Sequence, residues 1–502
     1  MKRRLLIFTL VIYSFSSAIA QEEKPKWEPR EPKTFKTSHS GTFGGKSMTY
    51  DAVVSETFIK NSEGEVTGAM WSTAYLRTGT NVNSANRPVM FIFNGGPGSA
   101  SIWLHVGFFG PKVVKVDSEA KVDDGAAPFE FVENTQALLD LTDLVFIDPI
   151  GTGFSELEGT GKGEDFWGLN ADASSIAQFM RTWVSKHKRW QAPKFLAGES
   201  FGTTRAAKTA EVLQGGGQTM ALNGIILISQ ALDYAGSTSV PDNLTSFFTY
   251  LPSQAVTAWY HGKAGQGKTI EEFAQEARDF AYGEYLESLF LSQKQSPAQK
   301  EVIAEKLAYF TGLDKGYILR SDNQILMGRF KKELLREEGK VIGTLDGRFL
   351  AKETDPVAES PVLGDPSSYM TDAAYTAVFN DYLQRDLKVE MDRPYYTSAV
   401  NMSGWDWKPT SGGYWEPSYV STARSLSEAM HQNTQMQVLV ANGYYDLITP
   451  FFDSEYTFAR HEFPQERIKM TYYEAGHMMY NRQEDFDTLA RDIREFLESI
   501  LN

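Results

Sequence analysis

The chain has 502 residues and no cysteine. That absence excludes disulfides, thiolate metal sites and anchoring through a lipidated cysteine. Positive charge is scarce as well. Removing Lys2, Arg3 and Arg4 with the first twenty residues lowers Lys+Arg from 49 to 46 against 64 Asp+Glu, a formal −18. Such a balance repels phosphate backbones and anionic lipid, so nucleic acid and membrane surfaces are poor partners. After the N-terminus no long apolar run occurs. The early one, "LLIFTLVIY", follows three cationic residues and precedes Ala18-Ile19-Ala20, small residues at the spacing a signal peptidase needs. It is too short for a comfortable membrane span. Residues 1–20 are therefore expected to be a signal peptide, and the mature protein to be exported to a bacterial periplasm or outside the cell.

What is present suits a large packed core: 42% of residues are hydrophobic and 13% aromatic. Residues 21–40 are polar and proline-punctuated and read as a flexible lead-in. Two β-like runs from Lys46 to Arg77 surround "KNSEGEV", a hairpin signal. "PVMFIFNGG", "LTDLVFIDPIGTGFS", "PKFLAGES" and "LNGIILISQ" then read as buried strands, alternating with the helical patterns "ADASSIAQFMRTWVSKHKRW" and "TTRAAKTAEVLQ". This alternation predicts an α/β fold with a mostly parallel central sheet covered on both faces. The rhythm changes to short, charged helical patterns over residues 236–370, expected to be a helical lid insertion. Strand signals return in "MQVLVANGYYDLITP" and "IKMTYYEAGHMMY", so residues 41–235 and 371–502 are assigned to the two parts of one core.

The stretch "KFLAGESFGT" carries the chemistry. Gly-x-Ser-x-Gly between a strand and a helix is the nucleophile elbow of the α/β-hydrolase fold, which places Ser200 on a strained, exposed turn. A serine hydroxyl needs a histidine base oriented by a carboxylate, here in the chain order Ser, acid, His. Of the seven histidines, His477 alone follows a late strand at a glycine turn before the last helix. His105 follows the apolar "SIWL" and suits a structural role better. Asp446, closing the preceding strand, is the candidate acid, with Glu474 and Asp453 as rivals by proximity. The oxyanion hole needs two backbone N–H groups; Phe201 follows the nucleophile, and Gly96 lies in the turn-rich "FNGGPGS" after an early strand. No His-Glu-x-x-His occurs, so no metal is expected. The letters of a phosphate loop in Gly262–Thr269 follow no strand, so no nucleotide cofactor is expected either.

Together "NGGPGSAS", "DPIGTGFS", "AGESFGT", "NGYYDLITP" and "AGHMMY" resemble the serine carboxypeptidase family, that of carboxypeptidase Y, cathepsin A and the plant carboxypeptidases. The motifs run in the family's order from Phe91 to Tyr480. The resemblance implies a hydrolase that removes amino acids one at a time from peptides with a free C-terminal carboxylate, through an acyl-enzyme and often best at acidic pH. It implies that Asn94 and Glu199 bind that carboxylate and that Met478 lines the pocket of the leaving residue. An esterase or acyltransferase would use the same triad and is the alternative. Three positions depart from the pattern. Phe108 stands where members often carry a second glutamate, Ser99 where many carry a disulfide cysteine, and "MYNRQ" follows the histidine in place of a proline-containing run. Glu199 is the odd residue, since a carboxylate facing a carboxylate repels unless one holds a proton. Burial raises a glutamate's pKa, so a protonated Glu199 is expected to donate a hydrogen bond to the substrate's end.

Overall fold

The computed structural model describes residues 30–502, apart from 81, 401 and 409–417; the expected signal peptide lies outside the described residues. In Pro32–Asn502 the strands β1 Thr34–Phe43, β2 Lys46–Lys60, β3 Val66–Thr78, β4 Val89–Phe93, β5 Asp143–Asp148, β6 Lys194–Ser200, β7 Gly224–Gln230, β8 Gln437–Gly443 and β9 Ile468–Tyr473 form one sheet. Its order is 1-2-3-5-4-6-7-8-9, with the short strand Glu156–Leu157 beside β3. The first three strands and the β3–β5 pair are antiparallel. From β5 onward every pairing is parallel. This is the α/β-hydrolase fold.

The parallel strands read as unbroken apolar runs because helices cover both faces. On one face Met90, Ile92, Phe195, Ala197, Ile226 and Ile228 pack with helices α6 (Asp372–Arg385) and α9 (Gln483–Leu501). On the other, Phe91, Phe93, Leu196, Ile225 and Leu227 pack with α1 (Leu169–Lys186), α2 (Phe201–Leu213) and α7 (Ala423–Gln432). Successive strand residues alternate between the two clusters, as the two-residue period requires. Each fully buried Ile, Leu or Phe contributes roughly 1.5–3 kcal/mol, which makes this double covering the main source of rigidity beneath the site.

The chain leaves the sheet after Gln230 and returns at Gln437. Helices α3 (Leu244–Tyr260), α4 (Ile270–Phe280) and α5 (Pro297–Thr311) build their own cluster around Phe247, Leu251, Phe273 and Phe310. That cluster is continuous with Tyr444, Tyr445, Phe451 and Phe452, on the loop after β8 and at the start of α8 (Phe451–Arg460). Among the described residues no helix is long and apolar enough to cross a membrane.

Two expected boundaries move. The lead-in through residue 40 is cut short, because Thr34–Ser40 belongs to β1, paired antiparallel with β2. Its residues alternate exposed and half-buried, and a polar edge strand carries too few apolar residues to be told from a linker. The excursion from the sheet runs past residue 370, since α6 and α7 precede the return at Gln437. Yet α6 buries Tyr375, Val378, Phe379 and Tyr382 in the main cluster; its amphipathic pattern announces a helix but not the body it packs on.

Candidate active site

The carboxyl ends of β4, β6 and β8 converge where the strand order reverses, the usual site position in an open parallel sheet. At the end of β6, Ser200 adopts φ +59° and ψ −129°, a region that a non-glycine residue occupies only under constraint. Glycines supply the constraint. A Cβ on Gly202 would lie 2.9 Å from the Phe93 carbonyl oxygen and 3.0 Å from that of Asn94, so α2 can start only against a bare backbone. A Cβ on Gly95 would lie 2.5 Å from the Phe201 nitrogen, which shows how tightly the loop after β4 presses on the elbow. Phe201 opens α2, so its N–H has no partner within the helix. Its ring meets the edges of Trp405 and Trp407, 5.2 and 5.8 Å away.

Asp446 is fully buried in the turn after β8. Its Oδ1 accepts from the N–H groups of Ile448 (2.8 Å) and Thr449 (2.9 Å). Its Oδ2 accepts from the Thr449 hydroxyl and from His477 Nδ1, both at 2.7 Å. The carboxylate thereby fixes the imidazole's tautomer and leaves Nε2 free. The backbone of His477 is clamped as well: its N–H donates to the Leu345 carbonyl (2.6 Å) and its carbonyl accepts from Ser229 Oγ (2.7 Å). Burial lowers the affinity of the ring for a proton, but Asp446 and Glu199 outweigh it and leave the His477 pKa raised. The rivals drop out. Glu474 is exposed, and Asp453 is buried with neither carboxyl oxygen hydrogen-bonded among the described residues.

Ser200 and His477 line one cavity of about 350 Å3, together with Asn94, Gly96, Glu199 and Met478. Among the described residues no hydrogen bond joins the Ser200 hydroxyl to His477; such bonds often tighten only around substrate. Asn94 accepts from the Leu104 N–H through Oδ1 (3.0 Å), which turns its amide nitrogen onto Glu199 Oε1 (3.0 Å). Tyr480 donates to Glu199 Oε2 at 2.7 Å. Burial pushes the Glu199 carboxyl up to about 7; His477, Tyr480 and Asn94 oppose the rise and Asp446 adds to it. A larger open hollow of about 580 Å3 over β1–β3 carries no histidine or carboxylate and so no comparable chemistry.

Every site residue read from the sequence is accounted for in or beside this cavity. Ser200, Asp446 and His477 come together from three strand ends, Asn94 and Glu199 bond directly, Gly96 and Met478 form cavity wall, and Phe201 follows the nucleophile. Sequence reasoning missed Tyr480 and Thr449. Tyr480 closes the "AGHMMY" motif, so its place beside the histidine was its one signal. Thr449 sits three residues after the acid, the spacing at which a threonine can cap a carboxylate in a turn. Phe108 is buried against Tyr480, with ring centroids 5.9 Å apart, so an aromatic contact fills the place of the second carboxylate. His105 is buried, bonded to the Tyr75 hydroxyl at 2.7 Å and stacked on Phe146, a structural histidine outside the cavity wall. The phosphate-loop letters end in Thr269, whose hydroxyl caps α4.

A model of the serine carboxypeptidase family matches residues 67–490. The chain belongs to the serine carboxypeptidase family. Among curated relatives, serine carboxypeptidase-like 7 of Arabidopsis thaliana is 28% identical over 138 residues, 26% of this chain and 30% of that protein. Serine carboxypeptidase-like 13 of the same plant is 24% identical over 155 residues, 29% of this chain and 33% of that protein. The matched stretch thus spans about a third of those relatives' length or less. Solved structures with similar chain course include a proline iminopeptidase from Mycobacterium smegmatis, at 12% identity and TM-score 0.36, covering 89% of this chain and 98% of that one. The esterase RhEst1 from Rhodococcus sp. ECU1013 stands at 12% identity and TM-score 0.37, covering 89% and 99%. Overlaps that loose bear on no detail of the site.

Proposed function

We propose that this protein is an exported serine carboxypeptidase that releases C-terminal amino acids from peptides. One observation carries the reading: the Asp446–His477 pair and Ser200 face the same cavity as a buried Glu199 held by Asn94 and Tyr480. In this reading His477 Nε2 removes the Ser200 proton as the oxygen attacks the last peptide carbonyl. The N–H groups of Gly96 and Phe201 stabilise the oxyanion. His477 then passes the proton to the leaving amino group, and water hydrolyses the acyl-enzyme by the same route in reverse.

Glu199 explains why a carboxylate belongs beside the nucleophile. Below about pH 7 it carries a proton, and it donates that proton in a charge-assisted hydrogen bond to the substrate's terminal carboxylate. Above that pH two anions face each other and free-acid peptides bind poorly. Since the raised pKa of His477 costs the base its function as pH falls, the two groups together favour working conditions near neutral pH, with free-acid binding lost on the alkaline side. The N-terminal leader pattern supports export, and the absence of cysteine fits a fold held by packing alone.

An esterase or acyltransferase reading keeps the same triad. Phe108 favours it, since one carboxylate-binding group of the family pattern is replaced by a ring. Incubating a mixed peptide pool with the enzyme and following it by mass spectrometry separates the two. Stepwise loss from C-termini is the expected result. Internal cuts, or hydrolysis of esters alone, contradict the reading.

A further inference from the structure

Part of the cavity wall comes from the segment before α6 and from the start of α6 itself, and it carries a carboxylate that the catalytic scheme leaves unused. Asp372, the first residue of α6, lines the same cavity as Ser200 and His477. Its neighbours are otherwise engaged. Asp365 accepts from the N–H groups of Thr344, Leu345 and Ser367 and from the Ser367 hydroxyl. Asp124 accepts from the Ala374 N–H at 2.7 Å. Among the described residues Asp372 has no hydrogen-bond or ion-pair partner, and no lysine or arginine lines the cavity. Lys331 is turned onto the Thr344 hydroxyl and is not part of that wall. Asp372 is exposed to solvent, yet partial desolvation and the charges of Asp124 and Asp365 push its carboxyl up to about 6. The site therefore presents an anion that a cation would relieve.

Its position fixes which part of a peptide would supply that cation. Tyr375, one turn along α6, lies close to Tyr480, the residue bonded to Glu199: a Cβ on Gly107 would meet the Tyr480 ring at 2.6 Å and the Tyr375 hydroxyl at 2.7 Å. Trp103 packs on Tyr375 with ring centroids 5.0 Å apart and lines the cavity together with Glu199 and Asp372. The residue whose carboxylate meets Asn94 and Glu199 would thus direct its side chain along Trp103 toward Asp372. A lysine or arginine stem suits an aromatic face, and its charged head suits the unpaired carboxylate. We propose that Asp372 makes the leaving-residue end of the cavity selective for peptides ending in lysine or arginine. This rests on the carboxypeptidase reading and names its substrate class.

The test uses N-blocked dipeptides that share a penultimate phenylalanine and end in arginine, lysine, leucine or glutamate, with kcat/KM measured for wild type, Asp372→Asn and Asp372→Glu. Wild type should prefer arginine and lysine over leucine by about tenfold or more, with glutamate last. Asp372→Asn should cut the arginine-to-leucine ratio by about tenfold, and Asp372→Glu should restore most of it. An acidic residue at the first position of a helix also stabilises that helix. If that is its sole role, melting temperature falls while the ratio stays at the wild-type value, and the proposal is overturned. Release of leucine without preference for arginine overturns the selectivity and leaves the carboxypeptidase reading standing. Release of no terminal residue at all overturns both.

Discussion

The floor and the far wall of the cavity are built on different terms. The floor consists of Asn94, Glu199 and Ser200 at the ends of β4 and β6, with backbones so close that Gly95 and Gly202 tolerate no side chain. The wall consists of Ser367, Thr371, Asp372 and Leu345, delivered by the excursion between β7 and β8. Floor residues stand on the sheet itself, the rigid support that reacting atoms need. Wall atoms are fixed by helix packing and turn hydrogen bonds, a looser constraint that suits recognition of a variable side chain. The two meet at His477, whose N–H is held by Leu345 of the wall and whose imidazole serves the floor. The excursion therefore holds the backbone of His477 as well as bounding the cavity.

The largest expected effect breaks the floor. Ser200→Ala should lower kcat/KM by roughly 10⁴-fold or more and abolish labelling by a fluorophosphonate, with the fold retained by circular dichroism. Labelling that survives the substitution would place the nucleophile elsewhere. Next comes Glu199→Gln, which keeps a hydrogen-bond donor but cannot ionise. Wild-type KM for a free-acid peptide should rise about tenfold per pH unit above pH 7, and the variant's KM should stay flat. A matching rise in the variant would remove Glu199 from the explanation. Smaller again, Thr449→Val removes one of the two donors on Asp446 Oδ2 and should cost about 5–10-fold in kcat with little change in KM, because the acid's alignment with His477 loosens. A change confined to KM would move Thr449 from the floor's machinery to binding.

The smallest effect lies outside the cavity. Asp453 is buried, both carboxyl oxygens lack a hydrogen bond among the described residues, and burial together with Asp233 raises its pKa well above the usual value. The folded state then holds its proton more tightly than the unfolded chain does, so the stability from this group is present at acidic pH and declines as pH rises above about 4. Asp453→Asn removes that slope. Its melting temperature relative to wild type should gain about 2 °C or more between pH 5 and pH 8, read by differential scanning calorimetry. A constant difference would mean that Asp453 ionises freely in the native protein.

The floor was legible in the sequence because tight turns are local. "NGGPGS" and "AGESFG" dictate close backbone approach by composition, and strand-then-glycine patterns locate Asp446 and His477 at strand ends. The wall was not legible. Nothing in "SSYMTDAAY" announces that Asp372 lines the same cavity as Ser200, because the cavity gathers residues far apart in sequence. The same holds for Tyr480 on Glu199 and for Phe108 on Tyr480. The strand Thr34–Phe43 escaped for a different reason: between Phe35 and the buried Phe43 its half-buried positions are Thr37, His39 and Gly41, a pattern that polarity alone reads as linker.

Matched peptides differing in one group, a free C-terminal acid against its amide, test the central claim most directly when kcat/KM is followed from pH 5 to pH 9. The account predicts that the free acid loses ground to the amide as pH climbs through about 7, where Glu199 gives up its proton. Parallel profiles for the two substrates would contradict it.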